Sequence, residues 1–140
     1  MRIKYMEKIM KFARVLPATT VYAHCDLPCG VYDPAQARIE ATSVHAIMKK
    51  MEANQDPDFR TRAIIIKEER AELVKRHLWV LWTDYFKPEH LEKHSNLHDL
   101  FWRATKQAGE CKHHHEAAEG QKLLDLIEEI AEIFNATKKA

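Results

Sequence analysis

Cys25 and Cys29 stand four residues apart, with His24 against the first thiol and Pro28 and Gly30 on either side of the second. Thiolates are soft donors that select late transition metals, and square-planar sites containing nitrogen suit copper(II) or nickel(II). A tetrahedral zinc site wants four side-chain ligands, usually as two Cys or His pairs. Here one pair and one histidine are local, and there is no second Cys-x-x-Cys. The remaining ligands are therefore expected from the backbone. Cleavage after Ala23 would free an α-amino group with a pKa of about 8. That amine, the His24 imidazole, the Cys25 amide nitrogen and both thiolates would then converge within the nine residues 24–32. Pro28 restricts the turn and Gly30 reaches backbone conformations closed to other residues, so the loop can fold back on a metal. Read alone, these residues describe a nitrogen–sulfur metal hook and leave its metal and its reaction open.

The run His24-Cys25-Asp26-Leu27-Pro28-Cys29-Gly30-Val31-Tyr32-Asp33-Pro34 resembles the metal hook of the nickel superoxide dismutase family along its whole length. Glu40, Arg62, Arg70 and Trp82-Thr83-Asp84-Tyr85-Phe86-Lys87-Pro88 match the family in type and spacing, so the resemblance covers essentially all of 24–140. It implies a leader, residues 1–23, removed by a processing protease so that His24 becomes the N-terminus. One nickel ion per subunit would then be held by His24, Cys25 and Cys29. The implied reaction is disproportionation of superoxide to dioxygen and hydrogen peroxide through a Ni(III)/Ni(II) cycle. The implied assembly is a homohexamer. Anionic sulfur and amidate donors stabilise the higher oxidation state, and the metal in turn protects thiolates that peroxide would oxidise.

By the same resemblance Tyr32 gates access to the metal, with Tyr85 behind it. Glu40 and Arg70 orient the His24 imidazole, as outer partners of metal-bound histidines do. Arg62 is an anchor for the hook or a contact between subunits. Asp26 belongs to the reacting face and shapes it through backbone hydrogen bonds, a common use of Asp in turns. Two other readings use the same hook. One is a nickel or copper carrier without turnover; the other is a Cys25–Cys29 disulfide stapling a turn. A gated anion pocket at Tyr32, Glu40 and Arg70 distinguishes the enzyme from the carrier.

Helices must position these groups. Asp33-Pro34 and Asp56-Pro57 each pair an N-cap acceptor with a proline suited to the first helical position. Val44, Ile47, Met48 and Met51 mark the inner face of the first helix, which ends at Asn54–Pro57. Phe59, Ala63, Ile66, Leu73, Val74, Leu78, Leu81 and Tyr85 form the stripe of a long second helix reaching Lys87-Pro88. Pro88 opens a third with Leu91, His94, Leu97, His98, Phe101 and Ala104 on one face. Gly109–Gly120 reads as a polar break, and a fourth helix runs from about Gln121 with Leu123, Leu124, Ile127, Ile130, Ala131 and Phe134 inward. The expectation is all-α: an antiparallel up-and-down four-helix bundle behind the hook. Residues 3–16 have the pattern of a basic amphipathic helix.

The 140 residues are 46% hydrophobic and 31% charged, the profile of one globular domain. Residues 1–23 carry +4, which leaves −3 for 24–140 out of a total of +1. A mildly acidic body gives no support to a nucleic-acid partner, and no run approaches the roughly 18 apolar residues of a membrane span. The leader's apolar positions are interrupted by Lys11, Arg14 and Pro17, a poor secretory core. The expected location is the cytoplasm, with secretion left open. Cys111 reads as an unremarkable thiol in a polar stretch, and His113-His114-His115 as a solvated turn. His45, His77, His90, His94 and His98, like Trp79, Trp82 and Trp102, read as core or interface residues. Lys87 is a candidate for steering the anion.

Overall fold

The computed structural model describes residues 29–138; His24, Cys25, Asp26 and the 3–16 segment lie outside the described residues. The chain forms α1 (Ala35–Ala53), α2 (Pro57–Val80), a π-helical turn (Leu81–Tyr85), α3 (Pro88–Lys93), α4 (Leu97–His113) and α5 (Ala117–Lys138). The second start is built as its sequence dictates, and the first comes one residue later than expected, at Ala35 with Pro34 before it. Asp33 Oδ1 accepts from the Ala35 N–H at 2.8 Å, and Asp56 Oδ2 accepts from the Phe59 N–H at 2.7 Å with Pro57 opening the helix. The four long helices close a ring in which α1 packs on α2 and α5, and α4 packs on the same two. With short joins this is the expected antiparallel bundle. Its centre holds Val44, Met48, Val74, Leu78, Leu100 and Ile127, all inaccessible to solvent, and each contributes about 1.5–3 kcal/mol by burial.

Three features depart from the sequence reading. The third expected helix is two: α3 stops at Lys93, and His94 leaves the helical region (φ −129°, ψ 76°). The Ser95-Asn96 pair that follows favours caps and turns over helix interiors. The second departure is at the glycines. Gly109 and Gly120 lie inside α4 and α5, and the break between those helices is only His114–Glu116. A Cβ on Gly120 would come within 2.8 Å of His45 Cα, so the glycine is there to let α5 lie close against α1. That packing outweighs a propensity loss of about 1 kcal/mol.

The third departure is the inner face of α2, which runs Ala63, Lys67, Ala71, Val74, Leu78, while Ile66, expected inward, is 41% exposed. Lys67 is fully buried. Its Nζ donates to the carbonyls of Cys111 (2.6 Å), Lys112 (3.0 Å) and His114 (2.5 Å) and meets His115 Nδ1 at 3.1 Å. The ammonium thus serves the carbonyls left without partners at the end of α4. Burial lowers its pKa, against the pull of Cys111, Glu68 and Glu116. Among the described residues no helix is long and apolar enough to cross a membrane.

Candidate metal centre

The hook enters the bundle through Cys29-Gly30-Val31. Gly30 has φ +70° and is the residue that turns the chain. A Cβ there would touch nothing within 4 Å, so the turn needs glycine for its conformation and not for space. The turn brings the Val31 N–H back onto Cys29 Sγ at 3.4 Å. An N–H donor favours the thiolate over the thiol. Cys29 is exposed and opens on a cavity of about 370 Å³ walled by Tyr32, Gln36, His77 and Val80. A soft, solvent-facing sulfur with an amide donor is what a late transition metal takes as a ligand. In that respect the described part of the site fits nickel.

Tyr32 is half-buried beside this thiol, its ring 5.8 Å from that of Tyr85 and tilted by 53°. Tyr85 comes from the π-helical turn, closed by the Phe86 N–H on the Leu81 carbonyl at 3.2 Å. The extra residue in that turn lets Trp82, Tyr85 and Phe86 all pack against the core, and such turns recur at functional sites. The Tyr85 ring rests on Phe134 at 4.5 Å and its hydroxyl lies 2.8 Å from Thr137 Oγ1. Lys138 Nζ donates to the Tyr32 carbonyl at 3.4 Å. The last turn of α5 therefore braces both tyrosines.

Glu40 and Arg70 meet on the seam between α1 and α2, Arg70 Nη1 donating to Glu40 Oε2 at 3.2 Å. Arg70 Nη2 also reaches Glu69 Oε1 at 3.2 Å. Glu40 is one turn on from Gln36, and Arg70 two turns before His77, so the pair lies on the helix faces that border the Cys29 cavity. The Glu40 side chain is 16% exposed, which screens the pair less than a surface bridge.

The model of the family "Nickel-containing superoxide dismutase" matches residues 19–138. The chain belongs to that family. It is 59% identical over 124 residues to Superoxide dismutase [Ni] of Streptomyces coelicolor, covering 89% of this chain and 95% of that protein. The same figures hold for Superoxide dismutase [Ni] of Streptomyces seoulensis. Its backbone is similar to a native nickel superoxide dismutase structure with a TM-score of 0.82 at 59% identity, over 84% of this chain and all of that one. An apo nickel superoxide dismutase structure gives a TM-score of 0.78 at 57% identity, over 79% of this chain and all of that one.

Within one subunit of this nickel superoxide dismutase fold, not every expected residue reaches the hook. Arg62 is exposed and lines a different cavity of about 500 Å³ with Ile47, Asp56, Phe59 and Ile66. It lies fifteen residues before His77 on α2, roughly 22 Å along the axis. That cavity is the larger of the two, yet it holds no thiol or phenol, so volume does not mark the chemistry here. Arg62 thus does not border the Cys29 cavity of its own subunit. Lys87 is exposed at the start of α3, its N–H donating to His90 Nδ1 at 3.1 Å, whereas Lys138 is the cation beside Tyr32. Among the described residues no three His, Cys, Asp or Glu side chains converge to hold a metal ion. His114 lies between Glu110 (3.3 Å) and Glu116 (3.8 Å), and His115, read as solvated, packs against Lys67.

His77, read from the sequence as a core or interface residue, lines the Cys29 cavity, and Thr137 and Lys138 escaped the sequence reading. Continuing the inward stripe of the last helix beyond Phe134 by three and four residues would have found Thr137 and Lys138. His77 lies seven residues after Arg70, on the same helix face.

Proposed function

We infer that this chain is a nickel-dependent superoxide dismutase matured by proteolytic removal of residues 1–23. The observation that carries this reading is the exposed Cys29 thiol, with its Val31 N–H donor, opening on a cavity walled by Tyr32. The His24 amine and imidazole, the Cys25 amide and thiolate and the Cys29 thiolate would hold one nickel ion. When bound, nickel supplies the one-electron couple that oxidises one superoxide and reduces the next. Two superoxide anions and two protons give one dioxygen and one hydrogen peroxide.

The chain's own residues prepare this exchange. The Val31 N–H stabilises negative charge on Cys29 and orients the sulfur. Tyr32 narrows the approach so that a small anion fits and a larger one does not, and Tyr85 backs it. Asp26 shapes the hook, and the Glu40–Arg70 pair on the bordering seam orients the His24 imidazole. Lys138 supplies a local positive charge on a body whose overall charge is −3, so attraction of the anion is local.

Exposed apolar side chains support assembly of several copies. Ile39, Ile65 and Trp102 are each more than half exposed and Trp79 nearly so, an unusual amount of large apolar surface for a lone subunit. A homohexamer with Arg62 at a subunit contact fits this pattern, and the cytoplasm is the proposed location.

The test is stopped-flow superoxide decay with two nickel-loaded preparations, one starting at His24 and one retaining Ala23. Fast turnover in the first alone supports both the activity and ligation by the terminal amine. Full activity of the Ala23 form would overturn the N-terminal ligation. Inactivity of both despite bound nickel favours the carrier reading.

A further inference from the structure

The last turn of α5 fixes more than the position of the tyrosines. Thr137 Oγ1 lies 2.7 Å from the Phe134 carbonyl and 2.8 Å from the Tyr85 hydroxyl. A carbonyl can only accept, and a threonine hydroxyl has a single proton to give. With the Thr137 proton on the Phe134 carbonyl, the contact with Tyr85, which either hydroxyl could donate, runs from the phenol to Thr137. The Tyr85 ring has little freedom of its own. Phe134 lies against it at 4.5 Å, Phe86 meets it edge-on at 5.0 Å and His90 stacks on it at 5.7 Å. The one free choice left to this side chain is the direction of its O–H, and Thr137 makes that choice.

We propose that Thr137 is a positioning residue that takes the Tyr85 phenolic proton and so leaves the Tyr85 hydroxyl, on a ring 5.8 Å from that of Tyr32, able only to accept a further hydrogen bond. The consequence is specific to the reaction. Anything else that reaches the Tyr85 hydroxyl meets lone pairs, and Tyr85 is not the group that gives a proton to the anion. The proposal rests on the reading of Tyr85 as part of the superoxide site. Its first readout is independent of activity and of the metal.

That readout is the tyrosine doublet in ultraviolet resonance Raman, whose intensity ratio separates a donating phenol from an accepting one. After removal of residues 1–23 only Tyr32 and Tyr85 remain of the four tyrosines, and Tyr85→Phe assigns their signals. Thr137→Val keeps the shape and removes the acceptor; Thr137→Ser keeps the hydroxyl. The expected result is loss of the donor signature of Tyr85 in Thr137→Val and its retention in Thr137→Ser. Thr137→Ala reads the same signal should the valine variant not fold. An unchanged Tyr85 signature in Thr137→Val or Thr137→Ala overturns the proposal.

Turnover of the nickel-loaded protein is the second readout. Thr137→Val is expected to lower it about fivefold, the scale of one neutral hydrogen bond, and to add nothing in a Tyr85→Phe background. An equal loss in both backgrounds means that Thr137 acts through the fold, and also overturns the proposal. If Tyr85→Phe alone leaves turnover unchanged, the place of Tyr85 in the site fails, while the Raman result still decides the direction of its hydrogen bond.

Discussion

Cys29 and Cys111 are the same residue in two settings, one at each end of the bundle. Cys29 is exposed in a turn held by Gly30, with an N–H on its sulfur. Cys111 is fully buried near the end of α4, and its thiol donates to the Glu119 carbonyl at 3.4 Å. Burial pushes its pKa up to about 11, although Lys67 pulls the other way. The hook end is open and walled by aromatic rings. The far end is closed by the buried Lys67 ammonium and the carbonyls it serves. A thiol becomes a metal ligand where charge can be solvated or paired, and stays a small apolar core group where it cannot.

Removing each thiol should separate the two ends most widely. Structural zinc sites bind with roughly 10–16 kcal/mol over four ligands, so one thiolate is worth about 3 kcal/mol, or about a hundredfold in affinity. Cys29→Ser is therefore expected to lose nickel affinity by at least that factor, and superoxide turnover with it. Cys111→Ala should keep both within about twofold and lose about 1–2 kcal/mol of stability to a small cavity. Alkylation of the metal-free protein, mapped peptide by peptide, gives a second measure. With a pKa of about 11, only about 10⁻³ of Cys111 is thiolate at pH 8, and its labelling should rise about tenfold per pH unit up to that value. Cys29 should be labelled first. Comparable labelling of both at pH 8 would erase the contrast.

The closed end is expected to carry stability and not chemistry. Lys67→Met fits the same space but strands the carbonyls of Cys111, Lys112 and His114. The expected loss is about 2–4 kcal/mol, because these hydrogen bonds are charge-assisted and the acceptors are at least part-buried. Urea unfolding measures it, and hydrogen exchange should localise the loosening to the last turn of α4. A loss under about 1 kcal/mol would mean that water replaces the ammonium, and that this end is as open as the hook.

What the chain discloses by itself follows the same division. The hook is legible because its proposed ligands lie within six residues, 24–29, and proline and glycine stand at fixed offsets beside them. The starts at Asp33-Pro34 and Asp56-Pro57 are legible because each carboxylate and the backbone N–H it accepts from are neighbours. Lys67 is not, since its partners lie 44 to 48 residues away and a lone lysine in an apolar stripe looks like an interruption. Thr137 and Lys138 touch Tyr85 and Tyr32 across 52 and 106 residues. The site's local half can be read along the chain; its supporting half exists only once helices have paired. Gly109 and Gly120 belong to that second kind, because a glycine reads as a breaker until the surface it faces is known.

Those two glycines allow the smallest and most discriminating test. In a helix interior alanine is favoured over glycine by about 1 kcal/mol. At Gly109 a new methyl would meet only the flexible end of Lys75, its Nζ at 3.5 Å, an ordinary contact. Gly109→Ala should therefore gain most of that 1 kcal/mol and raise Tm by roughly 3 °C for a chain of this length. At Gly120 the same methyl would meet His45 Cα at 2.8 Å and Met48 Sδ at 3.1 Å. The sulfur can move aside, but the backbone cannot without parting α5 from α1, and forced separations of this kind cost about 1–3 kcal/mol. The propensity gain offsets part of it, leaving Gly120→Ala less stable by about 1 kcal/mol. Opposite signs in paired thermal melts would show that the glycines are governed by the surfaces they face, as the two cysteines are. A gain at both positions would mean that α1 and α5 shift apart at no cost, and that the close approach at Gly120 is incidental to the fold.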